Sequence, residues 1–129
     1  MAEEYQPGVC NIGKRERMKR YALGFGGIGA VFLLAGFKVF LRMPDAVTLV
    51  LFIPFLAAFE GFIQGRSRFC AGYASQGVYD VSENGDNTSE VDDEESRRKD
   101  LQKAKKIHIY SAAGATAATL IAYIVAVIF

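Results

Sequence analysis

Three runs of apolar residues, separated by segments that hold almost all of the charges, constrain this sequence more than any other feature. The runs lie within residues 21–42, 46–64 and 109–129. Each is close to the roughly 20 residues that a helix needs to cross the hydrocarbon core of a bilayer. The 129 residues leave room for one domain. The sequence therefore predicts an all-α fold, an integral membrane bundle of three transmembrane helices.

Proline positions and charge runs divide the chain further. Pro44 disfavours helix at the preceding residue and suits the first turn of a helix, so it predicts a tight hairpin between the first two spans. Pro54 leaves the carbonyl of Val50 without its helical donor, which predicts a kink in the second span. The predicted organisation is a basic arm at 1–20, transmembrane helix 1 at 21–42, transmembrane helix 2 at 45–66, a juxtamembrane segment at 67–79, an acidic mobile loop at 80–89 and a long helix at 90–129, whose residues 107–129 form transmembrane helix 3.

The lysines and arginines predict the orientation of these spans. Five lie in residues 14–20 and eight in residues 66–106, so thirteen of the fifteen fall on one side of the three-span topology. Short loops rich in Lys and Arg stay in the cytoplasm. We therefore expect a cytoplasmic N-terminus and a third helix that extends into the cytoplasm. The cations all neighbour a membrane span or an acidic partner, which argues against binding to nucleic acid.

The polar segment between the second and third spans changes character along its length. Residues 80–95 contain eight acids and no base, and the first half has the composition of a mobile loop. Ser89 then suits a helix N-cap, and Glu95 with Lys99 is one of several i,i+4 ion pairs that follow. These features predict a helix from Glu90 that is roughly 60 Å long, half of it outside the membrane. That half is either a docking stalk or simply a solvated charged surface.

Glycines in the first span match the dinucleotide-binding fingerprint G-x-G-x-x-G at residues 24–29, but no strand precedes them and lipid-type residues follow. Close packing of helices in lipid is the better interpretation, because small residues let backbones approach. Each span has such residues at four-residue spacing, which should meet one another or a partner subunit. The predicted packing positions are Ala22, Gly26 and Ala30, then Ala57, Gly61 and Gly65, then Gly114, Ala118, Ala122 and Ala126.

Four side chains are candidates for chemistry. Glu60 is an acid within the second span, which predicts either a proton or cation site or a carboxylate that reaches the headgroups or pairs with Arg17, Arg20 or Gln64. Cys10, Cys70 and His108 all fall at the predicted cytoplasmic membrane surface. Thiolate and imidazole are ligands for soft metals, and two thiols can form a redox pair. None of the three has a neighbour at metal-ligand spacing, so we predict no metal site and no cofactor.

Two motifs carry a resemblance to known membrane proteins. Residues 10–20 read C-N-x-G-x-x-E-R-x-x-R, and residues 69–77 read F-C-x-x-x-A-x-x-G. In the first motif, Asn11 can cap a helix, and Glu16 with Arg20 is an i,i+4 ion pair. The chain resembles small uncharacterised three-helix prokaryotic membrane proteins and, more distantly, the transmembrane module attached to some inner-membrane rhodaneses. The resemblance implies a multi-pass protein of a prokaryotic inner membrane. It does not imply sulfur transfer, because Cys70 is not followed by the rhodanese loop with its arginine.

The expected function is that of a non-enzymatic accessory or structural subunit. Such a protein packs in the bilayer as a homo-oligomer or within a larger membrane complex. One alternative is a thiol redox or metal-handling protein that uses Cys10 and Cys70. Another is a proton or ion transport component that uses Glu60, which would need several copies to enclose a path.

Overall fold

Three long helices form the molecule, as the sequence predicts. The computed structural model describes residues 4–129. The elements in chain order are α1 (Lys14–Phe40), a 3₁₀ helix (Asp45–Leu51), α2 (Phe52–Ser67), α3 (Ala71–Gln76), β1 (Val78–Tyr79), β2 (Ser89–Glu90) and α4 (Glu94–Ile128). Three segments are long and apolar enough to cross a membrane, namely α1, the 3₁₀ helix joined to α2, and α4. The all-α fold class is confirmed, and these three segments indicate that the chain is a membrane protein.

Glycines let α1 and α2 approach closely. A Cβ atom placed on Gly61 would lie 2.6 Å from the carbonyl oxygen of Arg20, and one placed on Gly27 would lie 2.6 Å from the backbone nitrogen of Ala58. Real Cβ atoms do not come this close, so only glycine permits the contact. Tyr21 covers Gly65 in the same interface. Residue numbers rise along α1 while those of their partners fall along α2, so the two helices are antiparallel.

The contact with α2 uses glycines of α1 other than the predicted Gly26. The buried glycines of α1 are Gly24 and Gly27. A Cβ atom on Gly26 would meet nothing within 4 Å among the described residues, and Ala30 is only partly buried. Gly26 therefore lies away from α2. The small residues were predicted to meet one another or a partner subunit, and the position of Gly26 leaves the second alternative open.

The second span begins with a 3₁₀ helix and continues as an α-helix. The α-helix starts at Phe52, so Pro54 lies in its first turn. A helix has no intrahelical acceptor for its first N–H groups, and proline is tolerated there. The missing N–H of Pro54 thus decides where α-helical hydrogen bonding begins, and the kink itself stays a prediction.

Helix α4 begins four residues later than predicted. Asp93 is its N-cap, because Oδ2 of Asp93 accepts hydrogen bonds from the backbone N–H and the hydroxyl of Ser96, at 3.2 and 2.8 Å. Ser89, the predicted cap, pairs with Tyr79 in the two-stranded sheet. The predicted pair of Glu95 and Lys99 is confirmed at 3.6 Å. The helix has 35 residues and is about 52 Å long.

A small folded unit covers the predicted stalk. We call residues 4–13 and 68–93 the cap, and the end of the bundle that carries it the basic end. The cap packs on α4 through a core that contains Phe69, Ala74, Ala104 and Ile107. One side of the stalk is therefore buried. Residues 1–3 of the predicted N-terminal arm lie outside the described residues, and α1 already begins at Lys14.

The opposite end of the bundle, the far end, is less closely packed. Helix α4 packs against α2, where the ring of Phe59 lies over Gly114, and against the 3₁₀ helix. An apolar groove opens at this end between the C-terminal turns of α1, the 3₁₀ helix and the C-terminal turns of α4. Ala118 is half-buried, and Ala122 lines the groove.

Candidate functional site

Asn11 joins two distant parts of the chain at the basic end. Its side chain is fully buried, accepts a hydrogen bond from the backbone N–H of Cys70 at 2.6 Å and donates one to the carbonyl of Cys70 at 3.0 Å. Its backbone N–H donates to Arg68, and its carbonyl accepts from Asp80. The sequence suggested Asn11 as a helix cap, but the N-cap of α1 is Gly13. Asn11 instead hydrogen-bonds to the backbone of residues 68–70 as a neighbouring β-strand would.

An ion-paired arginine contacts the sulfur of Cys70. Glu16 is buried in the first turn of α1 and pairs with Lys19 at 2.5 Å and with Arg20 at 3.5 Å. The pair of Glu16 and Arg20 was predicted from its i,i+4 spacing and is confirmed. Nη2 of Arg20 also donates to Sγ of Cys70, at 3.1 Å. Burial, and then the nearby Glu16 carboxylate, raise the pKa of the neighbouring Tyr73. Asn11, Glu16, Arg20 and Cys70 together form what we call the polar junction.

Asp80 organises the loop that was predicted to be mobile. Its side chain has no exposed surface, and its two oxygens accept from the Ser82 hydroxyl at 2.5 Å, the Ser82 N–H at 3.1 Å and the Asn87 N–H at 3.3 Å. The carbonyl of Asp80 accepts from Gly13. A Cβ atom on Gly13 would lie 2.7 Å from the carbonyl oxygen of Val81, so this approach needs glycine. At Asp80, then, the predicted loop is tied to the start of α1.

Asp100 holds the N-terminal segment on α4. The carboxylate is 1% exposed and accepts from the hydroxyl of Tyr5 and from the N–H of Gly8, each at 2.7 Å. The ring of Tyr5 stacks on Tyr79, with 4.2 Å between ring centroids. Burial and the hydrogen bond to Asp100 raise the pKa of Tyr5 well above its ordinary value. These contacts attach residues 5–8 to the stalk.

Glu60 contacts His108, a partner that the sequence did not suggest. Oε1 of Glu60 lies 2.6 Å from Nδ1 of His108, and Oε2 accepts from Gln64 at 2.6 Å. The predicted pairing of Glu60 with Gln64 is confirmed. The Glu60 side chain is 15% exposed, whereas His108 is 58% exposed. The contact joins α2 to α4 where α4 leaves the cap, and it leaves His108 open to solvent or headgroups.

The candidate metal ligands do not come together. Among residues 4–129, no group of three or more histidines, cysteines or acids has the geometry to hold a metal ion. Cys10 and Cys70 are buried thiols of the cap, and Sγ of Cys10 lies 3.6 Å from the carbonyl of Ile12. His108 is engaged with Glu60. The arrangement of these groups is suited to attaching the cap to the bundle.

Sequence reasoning missed the roles of Asp80 and Asp100. A signal was present for Asp100, because Asp100, Ala104 and Ile107 share the i, i+4, i+7 spacing of one helix face, and all three are buried. An acid on an otherwise apolar face predicts a buried partner. No comparable pattern marks Asp80, which sits among seven other acids in residues 80–95.

Comparisons with models of protein families, with curated proteins and with solved structures found no match to this chain. The resemblance to three-helix prokaryotic membrane proteins therefore stays a prediction. Both of its motifs converge in space, because residues 10–20 supply Asn11, Glu16 and Arg20 to the polar junction and residues 69–77 supply Cys70.

Proposed function

We propose that this chain is a non-enzymatic membrane protein, an accessory or structural subunit that associates with other membrane helices through an unused surface of α1. The basic end faces the cytoplasm, following the distribution of Lys and Arg, and the membrane is the inner membrane of a prokaryote. Lys14, Arg15 and Lys19 border an open depression at this end and suit contact with anionic headgroups. The partners are the lipid bilayer and either further copies of this chain or another membrane protein.

The observation that carries the proposal is a surface of α1, made mostly of small residues, whose three glycines have open space beside them in the described part of the chain. We call it the open glycine face, and its members are Ala22, Gly26, Gly29, Leu33 and Gly36. At 3.6 residues per turn these positions lie on the side of α1 opposite to Gly24 and Gly27. Cβ atoms on its three glycines would meet nothing within 4 Å in the described part of the chain.

Glycine in a helix interior costs about 1 kcal/mol relative to alanine. At Gly24, Gly27 and Gly61 the close packing of α1 on α2 offsets that cost. At Gly26, Gly29 and Gly36 nothing among residues 4–129 does so. Small residues at this spacing are typical of surfaces where two membrane helices approach closely. A second helix on the open glycine face would offset the cost in the same way as α2 does.

The test compares two leucine pairs on lipid-facing surfaces. Gly26→Leu with Gly29→Leu fills the open glycine face, and Ala113→Leu with Ala117→Leu adds bulk at exposed positions of α4. Each protein is extracted from native membranes in mild detergent, its mass is measured by light scattering, and co-purifying proteins are identified by mass spectrometry. We expect the parent and the α4 variant to form a stoichiometric assembly and the α1 variant to be monomeric. A monomeric parent, or an α1 variant that keeps the assembly, overturns the proposal.

The contact of Arg20 with Cys70 favours a second candidate, a thiol-dependent function. A cation beside a cysteine sulfur is a feature of reactive-thiol sites. Against it, Cys70 is 4% exposed and the same guanidinium pairs with Glu16. Alkylation of the native protein, followed by mass spectrometry and metal analysis, separates the two candidates. Two reduced thiols that are alkylated no faster than ordinary cysteines, with no bound metal, would end the thiol candidate.

The transport alternative places proton exchange at Glu60 and His108. It depends on an oligomer, because three helices do not by themselves enclose a path. Glu60→Gln in reconstituted vesicles tests it, and an unchanged proton flux removes it.

A further inference from the structure

The groove at the far end is shaped like a binding site for one lipid molecule. It has a volume of about 760 Å³, within the range of roughly 300–1,000 Å³ found for small-molecule sites. Side chains from three elements line it, including Leu34, Val39, Thr48, Val50, Ala122 and Ala126. Nearly all of this lining is hydrocarbon, which suits an acyl chain.

Charged groups stand at the mouth of the groove. Nζ of Lys38 lies 3.0 Å from Oδ1 of Asp45, and both residues line the groove. A lysine ammonium has three donors, so this contact leaves donors for another acceptor. Arg42 lies exposed four residues beyond Lys38. The hairpin residues 38–45 carry two cations and one carboxylate, a net charge of +1, which is complementary to a phosphate.

Thr48 supplies an observation that the apolar lining does not explain. It is 4% exposed, it lines the groove, and its hydroxyl has no hydrogen-bond partner among the described residues. A buried hydroxyl without a partner costs free energy, so a hydrogen-bond acceptor beside Thr48 would stabilise this position. Three residues of 3₁₀ helix place Thr48 about 6 Å deeper than Asp45. In a glycerophospholipid, acceptors lie at that depth, because the ester carbonyls come directly below the phosphate.

We infer that the far groove binds one anionic glycerophospholipid, whose phosphate contacts Lys38, whose ester carbonyl accepts from Thr48 and whose acyl chain lies between α1 and α4. This inference is independent of the proposed association through α1, because the open glycine face and the groove use different residues. The lipid completes the packing of the far end, where α1 and α4 are separated.

Photolabelling tests the position of the lipid. The probe is phosphatidylglycerol with a photoreactive group in one acyl chain, incorporated with the full-length protein into phosphatidylcholine nanodiscs. We expect labels to concentrate on the peptides that contain Val50 and Ala126. Labels spread evenly over all lipid-facing residues would overturn the inference. So would protein-to-protein cross-links at Val50 in native membranes, because they would show that a partner helix occupies the groove.

Variants test the chemistry of binding, with bound lipid counted by native mass spectrometry. Ala126→Phe fills the groove and should remove the retained lipid, whereas Ala117→Phe, on the exposed side of the same helix, should not. Thr48→Val should weaken binding of phosphatidylglycerol and phosphatidylcholine alike by about two- to tenfold, the value of one hydrogen bond. Lys38→Gln should remove the preference for phosphatidylglycerol. Unchanged binding in Thr48→Val, which keeps the shape of the side chain, refutes the inference even if Ala126→Phe fails to fold.

Discussion

Replacing Asn11 by alanine should open the polar junction and expose Cys70. The change removes both side-chain hydrogen bonds to Cys70, at 2.6 and 3.0 Å. The buried N–H of Cys70 then has no partner, whereas its carbonyl keeps the N–H of Ala74 at 3.1 Å. An unsatisfied buried group costs about 1–3 kcal/mol and a lost hydrogen bond about 1 kcal/mol, and water that reaches the opened segment lowers the sum, so we expect the free energy of local opening to fall by about 2 kcal/mol. At 1.4 kcal/mol per tenfold, that is about thirtyfold more of the open form.

The rate of alkylation of Cys70 measures this population directly. Cys70 is 4% exposed, so a maleimide reacts through the open form, and the rate follows its population when closing is faster than labelling. All variants carry Cys10→Ala, which leaves one reporting thiol. Asn84→Ala removes an exposed asparagine of the same cap and is the matched control. A rate for Asn11→Ala within about threefold of the control would refute the reasoning.

Three further predictions concern packing and pH. Gly61→Ala should destabilise the monomeric bundle by about 1–3 kcal/mol or more in detergent unfolding, because its Cβ would collide with α1, whereas Gly26→Ala should be neutral or stabilising in the same monomer. The raised pKa of Tyr5 means that its contact with Asp100 is fully formed below pH 10 and is lost at higher pH. Proteolysis of the N-terminal segment should therefore increase at high pH, and Tyr5→Phe should abolish this pH dependence. Hydrogen bonds with Ser96 lower the pKa of Asp93, so Asp93 as N-cap stabilises α4 above about pH 4, and this stabilisation is lost as the pH falls further. Hydrogen exchange at the Ser96 amide measures the loss. Equal exchange at pH 7 and pH 3, after correction for intrinsic rates, would contradict the prediction.

The contacts of residues 80–89 could not be predicted from neighbouring residues in the sequence. Residues 80–89 have the composition of a mobile segment, yet Asp80 is fully buried by contacts with Ser82, Asn87 and Gly13. The start of α4 was misplaced for a similar reason. Both Ser89 and Asp93 are good N-caps, and Val78 and Tyr79 decide between them because they pair with residues 89–90.

The sequence alone determined the parts of this protein that depend on neighbours in the chain. The three spans follow from uninterrupted apolar runs, the hairpin from Pro44, and the pair of Glu16 and Arg20 from one turn of helix. The tertiary structure decided which faces meet. Several faces of these helices carry small residues, and only the rotation of α1 against α2 selects Gly24 and Gly27 over Gly26. The contacts of Asn11 with Cys70, 59 residues away, and of Glu60 with His108, 48 residues away, depend on that same arrangement.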